Sequence, residues 1–99
     1  MSDVTKITAT QCVGEILRER CAQDAKWGEQ NHPPLQWLAI LTEEVGELAK
    51  EVNEHHWREQ PNTLTKLRAE LVQVAAVAVA WLECLDRGTW DWQLREVQP

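Results

Sequence analysis

Apolar side chains recur every three or four residues along three stretches of this chain, and each stretch is bounded by residues that stop a helix. In the first, Val13, Ile16, Leu17 and Cys21 make one stripe, while Glu15, Arg18, Glu19 and Asp24 fall mostly elsewhere. Thr8 followed by Gln11 reads as a capping box, so this helix is predicted to begin near Ala9. It should end at Lys26 or Trp27, because Gly28 and the segment Asn31-His32-Pro33-Pro34 break it. Pro34 suits the first turn of a second helix, in which Leu38, Leu41, Val45, Leu48 and Val52 form a core stripe reaching to about residue 58. Gln60-Pro61-Asn62 is the next break, and Asn62 or Thr63 caps a third helix that ends near Asp86, before Gly88.

The third helix carries Leu64, Leu67, Leu71, Val74, Ala75, Ala78, Leu82 and Leu85, and between residues 71 and 82 nearly every side chain is apolar. Such a helix needs cover on most sides. Three helices can hardly supply it alone, so the expected architecture is an all-α bundle completed by homo-oligomerisation as a dimer or tetramer, with helices two and three of one subunit against those of another. The chain reads as one domain over 1–99, with helices at about 9–26, 34–58 and 63–86. In the remaining arm, 89–99, Trp90, Trp92, Leu94 and Val97 mostly alternate, as in a short strand or an extended arm across a neighbour. No internal repeat, low-complexity tract or linker divides the chain.

Composition narrows the function classes. A chain of 99 residues supports one modest core. Its large aromatic surface is all indole, six Trp with no Phe or Tyr, and most of it should serve packing in the core or between subunits. A net charge of −6 argues against binding nucleic-acid polymers or anionic membranes, since both call for a positive surface. A nucleotide bridged by metal remains compatible with that charge. Cys12, Cys21 and Cys84 are odd in number and form no CxxC, so they read as reduced small hydrophobes of a cytoplasmic protein. The N-terminus lacks the apolar core of a signal peptide. The longest nearly apolar run, Leu71 to Leu82, contains Gln73 and falls short of the roughly 20 residues needed to cross a bilayer.

The candidate chemistry lies in the acidic residues. Helix two carries Glu43, Glu44, Glu47 and Glu51, and at about 100° per residue positions 44, 47 and 51 share a side that runs back to Ile40 and Trp37. One lengthwise stripe thus changes from apolar to acidic. Like charges at this spacing repel by roughly 0.2–0.5 kcal/mol per pair, which solvent, Lys50 or a bound cation would offset. On helix three, Glu70 and Gln73 share a side with Val74, Val77 and Trp81. The simplest arrangement sets Glu70 and Gln73 across a groove from Glu44 and Glu47, where a hard ion such as Mg²⁺ finds oxygen ligands. A merely solvated glutamate-rich face is the competing reading. The predicted helices hold no Glu-x-x-His pair of the di-iron kind, and the chain has no Walker loop, GxGxxG, GxSxG or His-Glu-x-x-His.

Glu43-Glu44-x-x-Glu47 followed by Glu70 and a polar residue at 73 resembles the signature of the MazG-like, all-α nucleoside triphosphate pyrophosphohydrolases. The segment Gln23-x-x-Lys26-Trp27-Gly28-x-Gln30-x-His32 resembles their short phage and mobile-cassette members, and the likeness spans roughly residues 10–86. The resemblance implies cleavage of a nucleoside triphosphate, such as a deoxynucleotide, to the monophosphate and pyrophosphate. It implies Mg²⁺, with Mn²⁺ as a substitute, held by Glu44, Glu47 and Glu70, while Glu43 either binds metal or orients the attacking water. The family's second motif usually ends in aspartate. Here the residue is Gln73, whose amide oxygen can touch an ion or a water without bringing charge. Lys26, Lys50, Lys66 and Arg68 are the candidates for phosphate charge, and Trp27 and Trp37 for a wall against the base. His32 reads as a capping or loop residue with a minor claim on substrate, and His55 and His56 as a solvated helix end. The alternatives to an enzyme are a non-catalytic helical module that binds nucleotide or metal, and a partner-binding module whose exposed Trp residues mark the contact.

Overall fold

The computed structural model describes residues 8–58 and 61–88, and within them the chain forms three helices: α1 (Ala9–Trp27), α2 (Pro34–Arg58) and α3 (Thr63–Arg87). The all-α expectation and the helix boundaries hold to within a residue. Residues 89–99, including the proposed arm, lie outside the described residues.

The local rules that set the boundaries are visible in the caps. Gln11 N donates to Thr8 Oγ1 at 3.2 Å and Thr8 N donates to Gln11 Oε1 at 2.7 Å, which completes the capping box of α1. Gly28 (φ 75°) and Gly88 (φ 67°) hold positive φ where α1 and α3 stop, a conformation glycine adopts without steric penalty. Pro34 opens α2. Asn62 occupies the cap position of α3, yet its side chain makes no capping hydrogen bond. The neighbouring Thr63 is buried, and its Oγ1 lies 2.7 Å from His55 Nδ1, so His55 ties α2 to the start of α3 rather than standing in solvent.

α3 is the central element. It packs against both α1 and α2, while no Cα of α1 comes within 8 Å of one of α2. α1 and α2 therefore flank α3 and leave a cleft between them. Ala76, Ala80 and Cys84 are buried at four-residue spacing along α3, and their small side chains allow close approach of the flanking elements. Trp37, 1% exposed, fills the space against Val77, Ala80 and Cys84, with Ile40, Leu41 and Trp81 packed on this cluster.

The inward faces differ from those the apolar stripes predict. On α2, Leu41 and Leu48 of the expected stripe are half-buried, but Leu38, Val45 and Val52 are 45–50% exposed, and the buried line is shifted toward Trp37, Ile40 and Glu44. On α1, Val13, Leu17 and Cys21 are exposed, whereas Arg20 is buried. Polar side chains fasten α1 to α3: the Arg20 guanidinium is gripped by both oxygens of Glu83, and Arg68 Nη2 donates to Glu15 Oε1 at 2.8 Å. These charge-assisted bonds pull the polar side of α1 inward. Val13, Leu17 and Cys21 of its apolar stripe are left on the surface while Ile16 is half-buried, and Leu64, Leu71 and Leu82 of α3 are exposed as well. Among the described residues, no helix is long and apolar enough to cross a membrane.

Candidate functional site

The cleft between α1 and α2 encloses about 480 Å³. Its walls are Glu19, Gln23, Lys26 and Trp27 of α1 and Trp37, Ile40 and Glu44 of α2, with Gln73, Val77 and Ala80 of α3 forming the floor and Gln30 at one end. The segment after α1 is fixed in place by Arg87, whose Nη2 donates to the Gln30 carbonyl at 2.9 Å and to Asn31 Oδ1 at 2.8 Å. His32 packs edge-on against Trp37, with ring centroids 4.9 Å apart, and so helps to seat that indole.

At the acidic end, Glu44 of α2 and Glu70 of α3 come within hydrogen-bonding reach of each other. Burial pushes the Glu44 carboxyl above the ordinary carboxylate range, and the negative charges of Glu70, Glu43 and Glu47 push it further the same way. Glu70 Oε2 is buried and, among the described residues, accepts no hydrogen bond. Two carboxylates from different helices thus meet with an acceptor oxygen left over, an arrangement that either a shared proton or an oxygen-seeking cation relieves. Carboxylate oxygens are the donors a hard divalent ion takes, and Glu44 and Glu70 supply two such groups. Glu43 and Glu47 are exposed beside Glu44, and among the described residues no group of three or more His, Cys, Asp or Glu is drawn together tightly enough to hold an ion by itself.

Gln73 lies in the same cleft, one turn beyond Glu70, and its Oε1 accepts a hydrogen bond from Gln23 Nε2 at 3.3 Å. At the other end Trp27 is 60% exposed, and Lys26 Nζ stands over its ring, 4.7 Å from the centroid, so an exposed indole and a cation lie together there. Trp37 lines the cleft while serving the core, and its Nε1 is buried with no hydrogen-bond partner among the described residues.

The structure therefore brings Glu44, Gln73, Lys26, Trp27 and Trp37 to one cleft, and Glu70 approaches Glu44 from α3 without lining the cleft itself. Lys50 and Lys66 are exposed and do not line it. Arg68 is turned away, since two residues along a helix is a rotation of about 200° from Glu70. Its guanidinium is taken by Glu15, which holds the Glu15 carboxyl below the ordinary carboxylate range. The apolar-to-acidic change along Trp37, Ile40 and Glu44 was the signal that located this face. Arg20 and Glu19 carried no comparable signal, because a charged residue inside a polar helical face looks the same whether it meets solvent or a partner helix. No family model matches the chain, and neither the curated proteins nor the solved structures contain a match.

Proposed function

We propose that this protein is a Mg²⁺-dependent nucleoside triphosphate pyrophosphohydrolase of the MazG-like kind, acting in the cytoplasm on a nucleotide, such as a deoxynucleotide, bound in the cleft between α1 and α2. The observation that carries the reading is the approach of Glu70 to Glu44, the carboxylate that lines one end of a cleft whose other end presents Trp27 and Lys26. Glu44 and Glu70, with the nearby Glu47, are the ligands for Mg²⁺. The ion supplies charge neutralisation for the phosphates and lowers the pKa of water. Trp27 stacks on the base, a contact worth roughly 1–3 kcal/mol. Lys26 adds positive charge at the mouth. Glu43, exposed beside the acidic pair, either joins the ligands or orients the attacking water.

In the reaction, the water oxygen forms a bond to the α-phosphorus as the bond from that phosphorus to the α–β bridging oxygen breaks. Pyrophosphate leaves with the bridging oxygen, and the proton of the water passes to a glutamate carboxylate. The exposed stripes Leu38–Val45–Val52 and Leu64–Leu71–Leu82 support association with a second copy of the chain, as a dimer or tetramer. Product analysis tests the bond assignment: monophosphate with pyrophosphate is expected, and diphosphate with orthophosphate would refute it. A second reading, a nucleotide- or metal-binding module without turnover, draws support from Gln73, an uncharged residue engaged by Gln23. It predicts ligand binding with no product at any enzyme concentration.

A further inference from the structure

We infer that Gln73 serves the cleft as a hydrogen-bond donor to the nucleoside part of the ligand, through its amide nitrogen, and is not a metal ligand through its oxygen. The inference rests on the functional reading above and deepens it. Its basis is a chain of hydrogen bonds whose direction is set at one end. A guanidinium carries donors only. Arg20 Nη1 donates at 3.0 Å to Gln23, so the Gln23 atom at that contact is Oε1. The Gln23 nitrogen then points the other way and donates to Gln73, which must meet it with Oε1, at 3.3 Å. An amide flip at either glutamine would set two donors or two acceptors against each other.

Arg20 cannot easily turn to relax this order. It is 8% exposed, both Glu83 oxygens accept from it, and Asp24 Oδ1 accepts from Nη2 at 3.0 Å. The buried guanidinium therefore fixes two successive amides, and the atom of Gln73 that remains is Nε2. Among the described residues Nε2 has no hydrogen-bond partner, and it is not closed off from solvent. Gln73 stands one turn from Glu70 and one turn from Val77, between the carboxylate end of the cleft and the end formed by Trp27 and Trp37. A nucleotide with phosphates at the carboxylates and base on Trp27 carries its sugar and base edge past this point. The acceptor is accordingly an oxygen of the sugar or of the base.

Calorimetric titrations of native protein, Gln73→Met and Gln23→Met test this, each with Mg²⁺ alone and with nucleoside monophosphates in the absence of metal. The expected result is that Gln73→Met keeps its Mg²⁺ affinity within about twofold and loses about five- to tenfold in monophosphate affinity, the value of one hydrogen bond. Gln23→Met, which frees the Gln73 amide to rotate, should show a smaller loss of the same kind. Weaker Mg²⁺ binding by Gln73→Met with unchanged monophosphate affinity would overturn the inference alone and make the amide oxygen an ion ligand. Absence of any monophosphate binding by the native protein would overturn the functional reading and the inference together. Circular dichroism of both variants, matched to native, keeps a folding defect from imitating either result.

Discussion

Replacing Glu70 by Gln should stabilise the protein when no divalent ion is present and destabilise it, relative to native, when Mg²⁺ is supplied. Among the described residues of the native chain Glu70 Oε2 is buried without a hydrogen bond, and its carboxylate faces Glu44. An unsatisfied buried acceptor costs about 1–3 kcal/mol, and an amide in its place can donate to Glu44. Glu44 keeps partial contact with water, which screens the repulsion, so the net gain should be about 1 kcal/mol. For a domain of this size that corresponds to a rise in Tm of roughly 4–8 °C. Mg²⁺ at a hundred times its Kd adds about 2.7 kcal/mol to a protein that binds it and nothing to one that does not. The order of stability therefore reverses on adding the ion. The pH dependence has a definite sign as well. The Glu44 carboxyl holds its proton more tightly in the folded state than in the unfolded, so metal-free native protein gains stability as pH falls from neutrality toward the ordinary carboxylate range, and loses it as pH rises through the elevated folded value. Glu70→Gln removes a principal cause of that elevation and flattens the slope. Urea unfolding at several pH values, with and without Mg²⁺, reads all three effects. A metal-free Glu70→Gln protein less stable than native by more than about 1 kcal/mol, or an equal response of both proteins to Mg²⁺, would refute the reasoning.

Other consequences follow from particular contacts. Trp27→Ala should raise KM about tenfold or more with little change in kcat, because the exposed indole stacks on the base before and during reaction; steady-state kinetics that show the loss in kcat instead would remove Trp27 from binding. Arg20→Met should cost roughly 1.5–3 kcal/mol in chemical denaturation by stranding Glu83 and freeing Gln23, and an unchanged midpoint would mean the pair is fully compensated by water. Val45→Glu places charge in the exposed stripe of α2 and should shift sedimentation toward a single subunit while leaving helix content unchanged; an unaltered mass would put the subunit contact elsewhere.

The elements of this fold were legible because their boundaries are set by local chemistry: a capping box at Thr8 and Gln11, glycines at positions 28 and 88, and Pro34 at a first turn. The facing of the elements was not. Periodicity identifies an apolar stripe on α2 at Leu38, Leu41, Val45, Leu48 and Val52, of which Leu41 and Leu48 are half-buried and the other three exposed, and it holds no information about what covers the stripe. In the chain as described, Trp37 outweighs the smaller aliphatic residues, because one buried indole removes more apolar surface from water than a Val or Leu. The same limit applies to α1. Arg20 and Glu15 look like surface charges in the sequence, and only their partners Glu83 and Arg68, 63 and 53 residues away, make them the attachment of the helix. The Glu44–Glu70 meeting could be foreseen, since a stripe that passes from Trp37 and Ile40 into glutamates must carry its acids along the face that α3 covers. The Gln23–Gln73 contact could not, as it depends on the angle at which α1 crosses α3.

The central claim is that the acidic end of the cleft hydrolyses a nucleotide. Pyrophosphate release from a panel of canonical and modified nucleoside triphosphates, with and without Mg²⁺ and with Glu70→Gln as control, tests it most directly: the account predicts release that requires both the ion and Glu70, with one base preferred, and it is contradicted by release that survives in Glu70→Gln or by no release from any member of the panel.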